Sequence, residues 1–492
     1  MTLWTLSFGR RADGSASKAR SARQFLSICT ARYSGILIMV MVSALAVGII
    51  PARAKTDRSG NGDISAAIEE IMSKTYKAGE PGAAVIAIKE GKVVFRKGYG
   101  LANMELGVPI KPEMVFRLGS ITKQFTATAI LMLAEQGKLS VSDDITKYLP
   151  DFPVQGHKVT IEHLLTHTSG IKNLTSLPEW LPLWRKDMTL TEVIALFKDK
   201  PFDFTPGERW SYSNSGYILL GAIIEKVSGE KYEDFIRKHI FEPLGMTHSF
   251  YDHTERLIPG RVEGYSRNGG AFINCAYLSM TQPYSAGSLA SSVDDLAIWD
   301  EALYTEKVIK QESLKRAWTA AILNNGKATN YGFGWGVSTM EGHPVIAHDG
   351  GINGFATSEM RLPDIHGFVA VLTNLDSAET GPDDAAARIA LVLLGKPYEE
   401  PTAIALPAGV IDNYVGKYQI EGGPTVAVTK EDGKLFAELG RKIEIKPMSE
   451  MEFFYSGSMN HILFTRDGSG AITTLSLKTP MGIELTATKS SK

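Results

Sequence analysis

Strand-like segments stand at both ends of residues 83–374, and helix-like segments stand between them. Two strands are predicted at residues 83–88 and 92–97, with Gly91 in the turn of the hairpin that joins them. Further strand patterns occupy residues 332–337, 345–348, 356–361 and 367–374. Between the two groups, segments such as 217–226 and 232–240 carry apolar residues at helical spacing. This order predicts an α+β domain.

Residues 411–492 are predicted to form a second, smaller domain. Prolines at positions 397, 401 and 407 mark residues 397–410 as a linker after a first domain that ends at residue 396. Short strand patterns then follow closely, at residues 416–419, 425–428, 435–439, 443–447, 452–455, 461–466 and 473–477. They predict a small all-β domain, either a barrel or a sandwich. A chain of 492 residues is also too long for a single core.

Residues 1–54 have the layout of a signal peptide. Basic residues such as Arg10, Arg11 and Arg32 precede the uncharged run 35–50, and Ala52-Arg53-Ala54 follows as a small-x-small cleavage site. Cleavage there predicts a periplasmic or secreted protein whose first domain spans residues 55–396. The uncharged run is short for a membrane-spanning helix, but an uncleaved leader would anchor the protein to a membrane by its N-terminus.

Charge and cysteine content narrow the partners of the mature chain. The leader contains seven basic residues and one acidic residue, so its removal changes the formal charge from −2 to −8. Such a balance does not favour nucleic acid as a partner. Cys29 lies in the leader and only Cys275 would remain, so the exported chain is expected to rest on its hydrophobic core without disulfides. The expected partner is a small-molecule or peptide substrate, and the oligomeric state is left open.

Among the Ser-x-x-Lys sequences in the chain, the one formed by Ser120 and Lys123 has the surroundings of a nucleophile. Residues three apart lie on one face of a helix, so the lysine amine would reach the hydroxyl proton of the serine. An extended stretch ends at Gly119 and an apolar helical segment follows, which leaves the Ser120 N–H free at the positive end of a helix. The match at residues 15–18 lies in the leader, and the match at 228–231 lies at a helix end.

Two further motifs supply partners for this serine. In Tyr212-Ser-Asn214, the phenol is a poor base unless a cation such as Lys123 stabilises its phenolate. The Asn214 amide can donate and accept, which suits a polar substrate carbonyl. His348-Asp349-Gly350-Gly351 indicates an edge strand that a substrate can approach, where the N–H of Gly351 would join that of Ser120 in an oxyanion hole.

Residues 81–394 resemble the serine β-lactamase and penicillin-binding-protein superfamily, because three more stretches accompany these motifs in order: Leu164-Leu-Thr-His-Thr-Ser-Gly170, Glu242-Pro-Leu-Gly-Met246 and Ala286-Gly-Ser-Leu-Ala-Ser-Ser292. The chain is most similar to the class C-like branch of β-lactamase-related esterases and D-aminopeptidases. The resemblance implies a β-lactamase/transpeptidase-like antiparallel sheet flanked by helices. It also implies a small C-terminal β domain like those in some of these hydrolases.

The resemblance implies a role for each motif residue. Ser120 would be the acylated nucleophile, and Lys123 and Tyr212 would share general-base duty, with the choice between them left open. Asn214 would help to position the lysine and the substrate amide. The strand with His348 and Gly350 would line the substrate pocket.

At that strand the chain departs from the superfamily pattern. Lactamases and transpeptidases commonly carry Lys-Thr-Gly or Lys-Ser-Gly there, whereas this chain has His348-Asp349-Gly350. A largely neutral histidine followed by an acid should weaken recognition of a substrate carboxylate, which penicillins and D-Ala-D-Ala termini present.

Other prominent side chains are expected to be structural. His167 in Thr-His-Thr-Ser-Gly indicates a hydrogen-bonded turn. Trp180, Leu181 and Trp184 fit either a substrate-facing lip or ordinary packing, and packing is favoured. Neither a metal nor another cofactor is predicted from the sequence.

The resulting hypothesis is an exported serine hydrolase that works through an acyl-enzyme on Ser120. Its expected substrates are small esters or D-amino-acid amides and peptides. One alternative is a β-lactamase or D,D-carboxypeptidase that acts on β-lactams or peptidoglycan stem peptides. The other is a non-catalytic binding or sensor protein that retains the fold, and the complete set of motifs argues against it.

Overall fold

A computed structural model describes residues 61–378, 380–407, 409–420, 425–439, 442–480 and 484–490. The predicted leader and its cleavage site lie outside these residues. Asp57–Lys492 forms one compact unit. Within the described ranges, no helix is both long enough and apolar enough to cross a bilayer.

The part of the chain before the barrel alternates helices and strands. Its helices are α1 (Asn61–Thr75), α2 (Thr122–Glu135), α3 (Ile161–Leu165), α4 (Leu190–Ala195), α5 (Asn214–Ser228), α6 (Tyr232–Ile236), α7 (Glu242–Leu244), α8 (Val293–Ala302), α9 (Gln311–Ala317) and α10 (Pro382–Leu393). Its strands are β1 (Ala83–Lys89), β2 (Lys92–Tyr99), β3 (Leu101–Asn103), β4 (Val108–Pro109), β5 (Phe116–Arg117), β6 (Phe250–Tyr251), β7 (Tyr265–Asn268), β8 (Ala271–Asn274), β9 (Leu289–Ser291), β10 (Gly336–Met340), β11 (His343–Ile352), β12 (Phe355–Leu362) and β13 (Gly367–Thr373).

A six-stranded antiparallel sheet joins the strands from the two ends of this region. The strand order is β10-β11-β12-β13-β1-β2, and Val85 of β1 lies opposite Val371 of β13. The predicted α+β fold with an antiparallel sheet is confirmed. One face of the sheet packs on a large core that includes α2 and α5, and the other face packs on α1 and α10. Because both faces are covered, β1 is a nearly continuous apolar run.

Two details of the sheet differ from expectation. The strand predicted at residues 332–337 is wrong over its first half, because Gly334 has a φ of +85° and the Gly332 N–H donates to the Trp335 carbonyl in a turn. The strand β10 begins only at Gly336. The strand β11 is not the edge of the sheet, but β10 covers it only as far as Ala347. Residues 348–352 therefore have an open edge on that side.

A closed eight-stranded barrel follows this α+β region. Its strands are β14 (Gly416–Ile420), β15 (Thr425–Glu431), β16 (Lys434–Glu438), β17 (Lys442–Pro447), β18 (Glu452–Tyr455), β19 (His461–Arg466), β20 (Ile472–Lys478) and β21 (Glu484–Lys489). The barrel-like prediction is confirmed and the sandwich is not. The unpredicted strand β21 closes the ring, because it pairs with both β20 and β14.

The barrel contacts α10 through the turn after β18. The buried Asp384 carboxylate accepts hydrogen bonds from the Ser458 hydroxyl, at 3.0 Å, and from the Met459 N–H. Arg388 also donates to Asp384, at 2.6 Å, and to the Gly457 carbonyl, at 3.2 Å. Since α10 covers the face of the sheet that is remote from α2, these contacts hold the barrel on the side away from Ser120.

Candidate active site

Ser120 lies in a single 3₁₀ turn, Gly119–Ile121, that continues into α2. The predicted helix start is therefore one tighter turn followed by the α-helix. Gly119 has a φ of +54°, and a Cβ there would come within 3.0 Å of the Gly351 nitrogen. Glycine at this position thus lets the serine turn lie directly against the open edge of β11.

The Lys123 amine lies at the centre of three oxygen atoms. Its Nζ is 2.9 Å from Ser120 Oγ, 2.9 Å from Asn214 Oδ1 and 2.8 Å from the carbonyl oxygen of Ala286. The side chain is fully buried, and burial lowers its pKa well below 10.5. A neutral amine has two N–H donors and one lone pair. The two carbonyl oxygens can only accept, so they take both donors and leave the lone pair for the Ser120 hydroxyl proton.

Tyr212 faces the same two residues from the loop just before α5. The Lys123 Nζ lies 4.8 Å from the centre of its ring. Burial raises the pKa of Tyr212, an effect that the nearby Ser120 hydroxyl partly offsets. The phenol oxygen is buried beside the Ser120 hydroxyl. A phenol with a raised pKa beside a lysine with a lowered pKa favours Lys123 as the group that accepts the serine proton.

Asn214 is held in one orientation at the first turn of α5. Its backbone N–H donates to Asn173 Oδ1 at 3.0 Å, and its Nδ2 donates to Thr175 Oγ1 at 3.2 Å. Its Oδ1 is therefore the atom that faces Lys123. The expectation that Asn214 positions the lysine agrees with these contacts.

His348 lies behind the site. Its side chain is 4% exposed, its Nδ1 lies 2.5 Å from the Asp349 carbonyl, and its Nε2 lies 2.8 Å from the Tyr331 hydroxyl. Burial lowers its pKa to about 4, so the ring is neutral near pH 7. With both nitrogens engaged, the ring does not line the cavity beside Ser120. His348 is therefore not part of this cavity wall, which its strand reaches through Gly351 and Ile352, and its contact with substrate stays a prediction.

Gly350 and Gly351 have different surroundings. A Cβ at Gly350 would lie 2.0 Å from the Leu118 carbonyl oxygen, so this glycine permits the close packing of β11 on the serine turn. Gly350 is buried and does not line the cavity. Gly351 does line it, together with Ser120, and a Cβ there would meet nothing within 4 Å. The two N–H groups of the predicted oxyanion hole thus belong to neighbouring walls of one cavity, and the hole itself stays a prediction.

Asp349 lies on the opposite face of β11 from His348. Side chains alternate along a strand, and Val345 and Ala347 belong to the core that contains α10, whereas Ile346 belongs to the other core. In agreement, the charge of Asp349 helps to raise the pKa of Asp383 in α10 to about 6, after the larger effect of burial. The acid in this motif therefore does not point at the substrate side of the strand.

His167 holds the loop that carries Tyr212. Its Nδ1 accepts the N–H of Ser213 at 3.1 Å, and its carbonyl accepts the N–H of Ser211 at 2.9 Å. The two ring centres of His167 and Tyr212 are 4.2 Å apart. His167 itself has a φ of +60° and is buried. The predicted hydrogen-bonded turn is confirmed, and its contacts show that the turn orients the phenol.

A cavity of about 160 Å³ opens beside Ser120. Trp180, Trp184 and Ile352 are among its apolar walls, whereas Leu181 points outward and is 55% exposed. Trp180 belongs to the main core and Trp184 packs against it, as the packing preference predicts, and both also form a lip of the cavity. None of the described side chains that line it carries a formal charge.

The competing Ser-x-x-Lys at residues 228–231 lacks this environment. The Ser228 hydroxyl donates to the Ile224 carbonyl, and Lys231 pairs with Glu225 on the surface. The Ala286 carbonyl, which completes the Lys123 site, was not singled out from the sequence. The only signal for it was its place at the start of the family-like stretch 286–292. No cluster of three metal-ligating side chains occurs among the residues for which coordinates are described.

Comparison with known proteins gives the same picture as the site. Residues 64–394 match the family model described as Beta-lactamase. The chain is 32% identical over 410 residues to penicillin-binding protein 4* of Bacillus subtilis, an alignment that covers 77% of this chain and 89% of that protein.

Solved structures share the fold. An octameric penicillin-binding protein homologue from Pyrococcus abyssi is 29% identical with a TM-score of 0.63, over 87% of this chain and 99% of that chain. A D-stereospecific amidohydrolase from Streptomyces is 26% identical with a TM-score of 0.54, over 64% of this chain and 95% of that one.

Proposed function

The chain belongs to the Beta-lactamase family and is a serine hydrolase, and on that premise we propose that it is exported and forms an acyl-enzyme on small esters or D-amino-acid amides and peptides. The observation that carries the proposal is the contact between the buried Lys123 amine and the Ser120 hydroxyl, 2.9 Å apart. A neutral amine at that distance is a competent general base.

Acylation begins when Ser120 Oγ attacks the substrate carbonyl carbon and its proton passes to Lys123 Nζ. The N–H groups of Ser120 and Gly351 then hold the negative oxygen of the tetrahedral intermediate. When the intermediate collapses, the bond to the leaving group breaks, and the leaving alcohol or amine takes a proton from Lys123 through the neighbouring Tyr212 hydroxyl. In deacylation a water oxygen attacks the ester carbonyl carbon of acyl-Ser120 and its proton passes to Lys123 Nζ. When this second intermediate collapses, the bond to Ser120 Oγ breaks, the serine oxygen takes a proton back from Lys123, and the acid product leaves.

The charge of the site favours one class of substrate. A penicillin or a D-Ala-D-Ala terminus presents a carboxylate, which is bound best by a fixed cation. His348 is buried and neutral, and the described lining of the cavity carries no charge. These features favour neutral esters and amides. The similarity to a D-stereospecific amidohydrolase supports the D-amide branch of the proposal.

A substrate panel tests the assignment. The mature protein is assayed with a p-nitrophenyl short-chain ester, D-alanine p-nitroanilide and nitrocefin, and intact mass spectrometry follows the acyl adduct. Ser120→Ala should lose every activity and the adduct, whereas Ser228→Ala, in the competing motif, should keep both. Retention of the wild-type rate by Ser120→Ala would refute the nucleophile. A clear preference for nitrocefin would favour the β-lactamase alternative, for which the penicillin-binding relatives are the supporting observation.

Export is proposed from the leader alone. In a Gram-negative host that expresses the full chain, N-terminal sequencing of the periplasmic fraction should begin at Lys55. Recovery of an uncleaved chain in the membrane fraction would instead support the N-terminal anchor.

A further inference from the structure

The cavity beside Ser120 has the composition of a site for an apolar side chain. Leu174, Ile218 and Leu278 line it and are between 1% and 3% exposed. Trp180 and Trp184 complete one wall with their rings in an edge-to-face arrangement, 5.5 Å between centres. Because Ser120 lies in the same cavity, any group placed there is attached close to the scissile carbonyl.

The aromatic wall is built in advance of any substrate. Gln282 is completely buried, and its Oε1 accepts the Trp180 indole N–H at 2.8 Å. Its Nε2 donates to the carbonyls of Leu183 and Lys186, at 2.7 and 2.6 Å. The N–H of Ser279 donates to the Trp184 carbonyl at 2.7 Å. These bonds hold the tryptophan segment open, so little of the binding energy is spent on ordering it.

The size of the cavity selects among apolar groups. Its volume of about 160 Å³ is close to that of an apolar cavity of about 150 Å³ that binds benzene. From this match we infer that the enzyme prefers substrates whose acyl half carries an uncharged, phenyl-sized side chain. This preference rests on the proposed acyl-enzyme function and adds the identity of the acyl group to it. A charged acyl side chain would lose its hydration in a cavity that offers no counter-charge.

Esters with one leaving group test the inference on the wild-type enzyme. The panel is p-nitrophenyl acetate, p-nitrophenyl phenylacetate and the p-nitrophenyl ester of succinate, which bears a carboxylate. Burial of a phenyl ring should raise kcat/KM for phenylacetate about 10- to 100-fold over acetate. The succinate ester should be the poorest of the three. A phenylacetate-to-acetate ratio near one, or a preference for succinate, would overturn the inference.

Variants locate the effect in the cavity. Trp184→Ala should reduce the phenylacetate-to-acetate ratio at least fivefold, whereas Leu181→Ala, on the exposed side of the same segment, should leave it unchanged. Leu278→Ala removes a different wall and serves if Trp184→Ala does not fold. An unchanged ratio in folded variants of both walls would overturn the inference. In that case, acetate hydrolysis that still depends on Ser120 would leave the proposed function standing. If no ester were hydrolysed in a Ser120-dependent way, the proposed function itself would be refuted.

Discussion

Glu359 is a buried carboxyl group in the central sheet, directly behind the site. It is 2% exposed, lies opposite His348 in the register of β11 and β12, and accepts a hydrogen bond from the side chain of Gln124, the residue after Lys123. Burial raises its pKa from 4.5 to about 8, against a smaller lowering by Gln124. In the folded enzyme this side chain is therefore protonated at neutral pH, whereas in the unfolded chain it is ionised.

The difference makes folding depend on pH in a known direction. Between the unfolded and folded pKa values, 4.5 and about 8, the native state binds one proton more than the unfolded state, so stability falls as the pH rises. The penalty is about 1 kcal/mol at pH 5 and about 4 kcal/mol at pH 8. Glu359→Gln keeps the oxygen that accepts from Gln124 and removes the ionisation, so its stability relative to wild type should rise by about 3 kcal/mol between these two pH values.

Urea unfolding at pH 5 and pH 8 measures this change. The control is Glu255→Gln, an exposed glutamate whose substitution should shift the two free energies of unfolding equally. The comparison between pH values matters more than the absolute effect, because any cost of the new amide N–H₂ group is the same at both. If the Glu359→Gln effect were equal at pH 5 and pH 8, Glu359 would not be a neutral buried acid, and the reasoning would fail.

Three further predictions concern the base and the residues that position the site. Burial lowers the pKa of Lys123, and the neutral amine is the active form, so kcat/KM for a neutral ester should fall as the pH drops through that lowered pKa. Lys123→Met should be inactive at every pH, and measurable turnover by this variant would assign the base elsewhere. Asparagine keeps an acceptor for the Ser213 N–H and tolerates a φ of +60°, so His167→Asn should retain kcat and melting temperature. His167→Leu should lose about 1–3 kcal/mol of stability and most of kcat, with less change in KM. Equal behaviour of the two variants would contradict the positioning role. Gly350→Ala should inactivate the enzyme and lower its melting temperature, because the new Cβ would meet the Leu118 carbonyl at 2.0 Å. Gly351→Ala, where a Cβ meets nothing within 4 Å, should leave the melting temperature unchanged. Similar melting temperatures for the two variants would argue against the close packing at Gly350.

The residues that sequence reasoning placed well are those whose relation is local. Ser120 and Lys123 are one helical turn apart, so helical geometry alone predicts their contact. Asn214 follows Tyr212 at the start of α5, and both reach Lys123 as the motif order implied. Strand patterns likewise predicted five of the six strands of the main sheet within a few residues, because alternation and apolar runs are properties of short segments.

The parts that were missed or wrong depend on what lies across the fold. The covering helices α1 and α10 were not predicted, nor were the neighbours that keep His348 behind the cavity wall. Trp180 and Trp184 were assigned to packing and do pack on the core, but their place at the cavity was missed, where Gln282, from a segment a hundred residues later, bonds Trp180 and the Leu183 carbonyl. No local pattern contains such partners.

The sequence by itself determined the reaction type, because a nucleophile and its base sit on the same turn of one helix and their chemistry follows from that spacing. The tertiary structure decided which group is neutral and what the cavity accepts. Burial by distant strands and helices lowers the pKa of Lys123 and raises that of Tyr212, and walls from four separate parts of the chain make an uncharged cavity beside Ser120. Desolvation and shape depend on every neighbouring atom, so they exist only once those segments have come together.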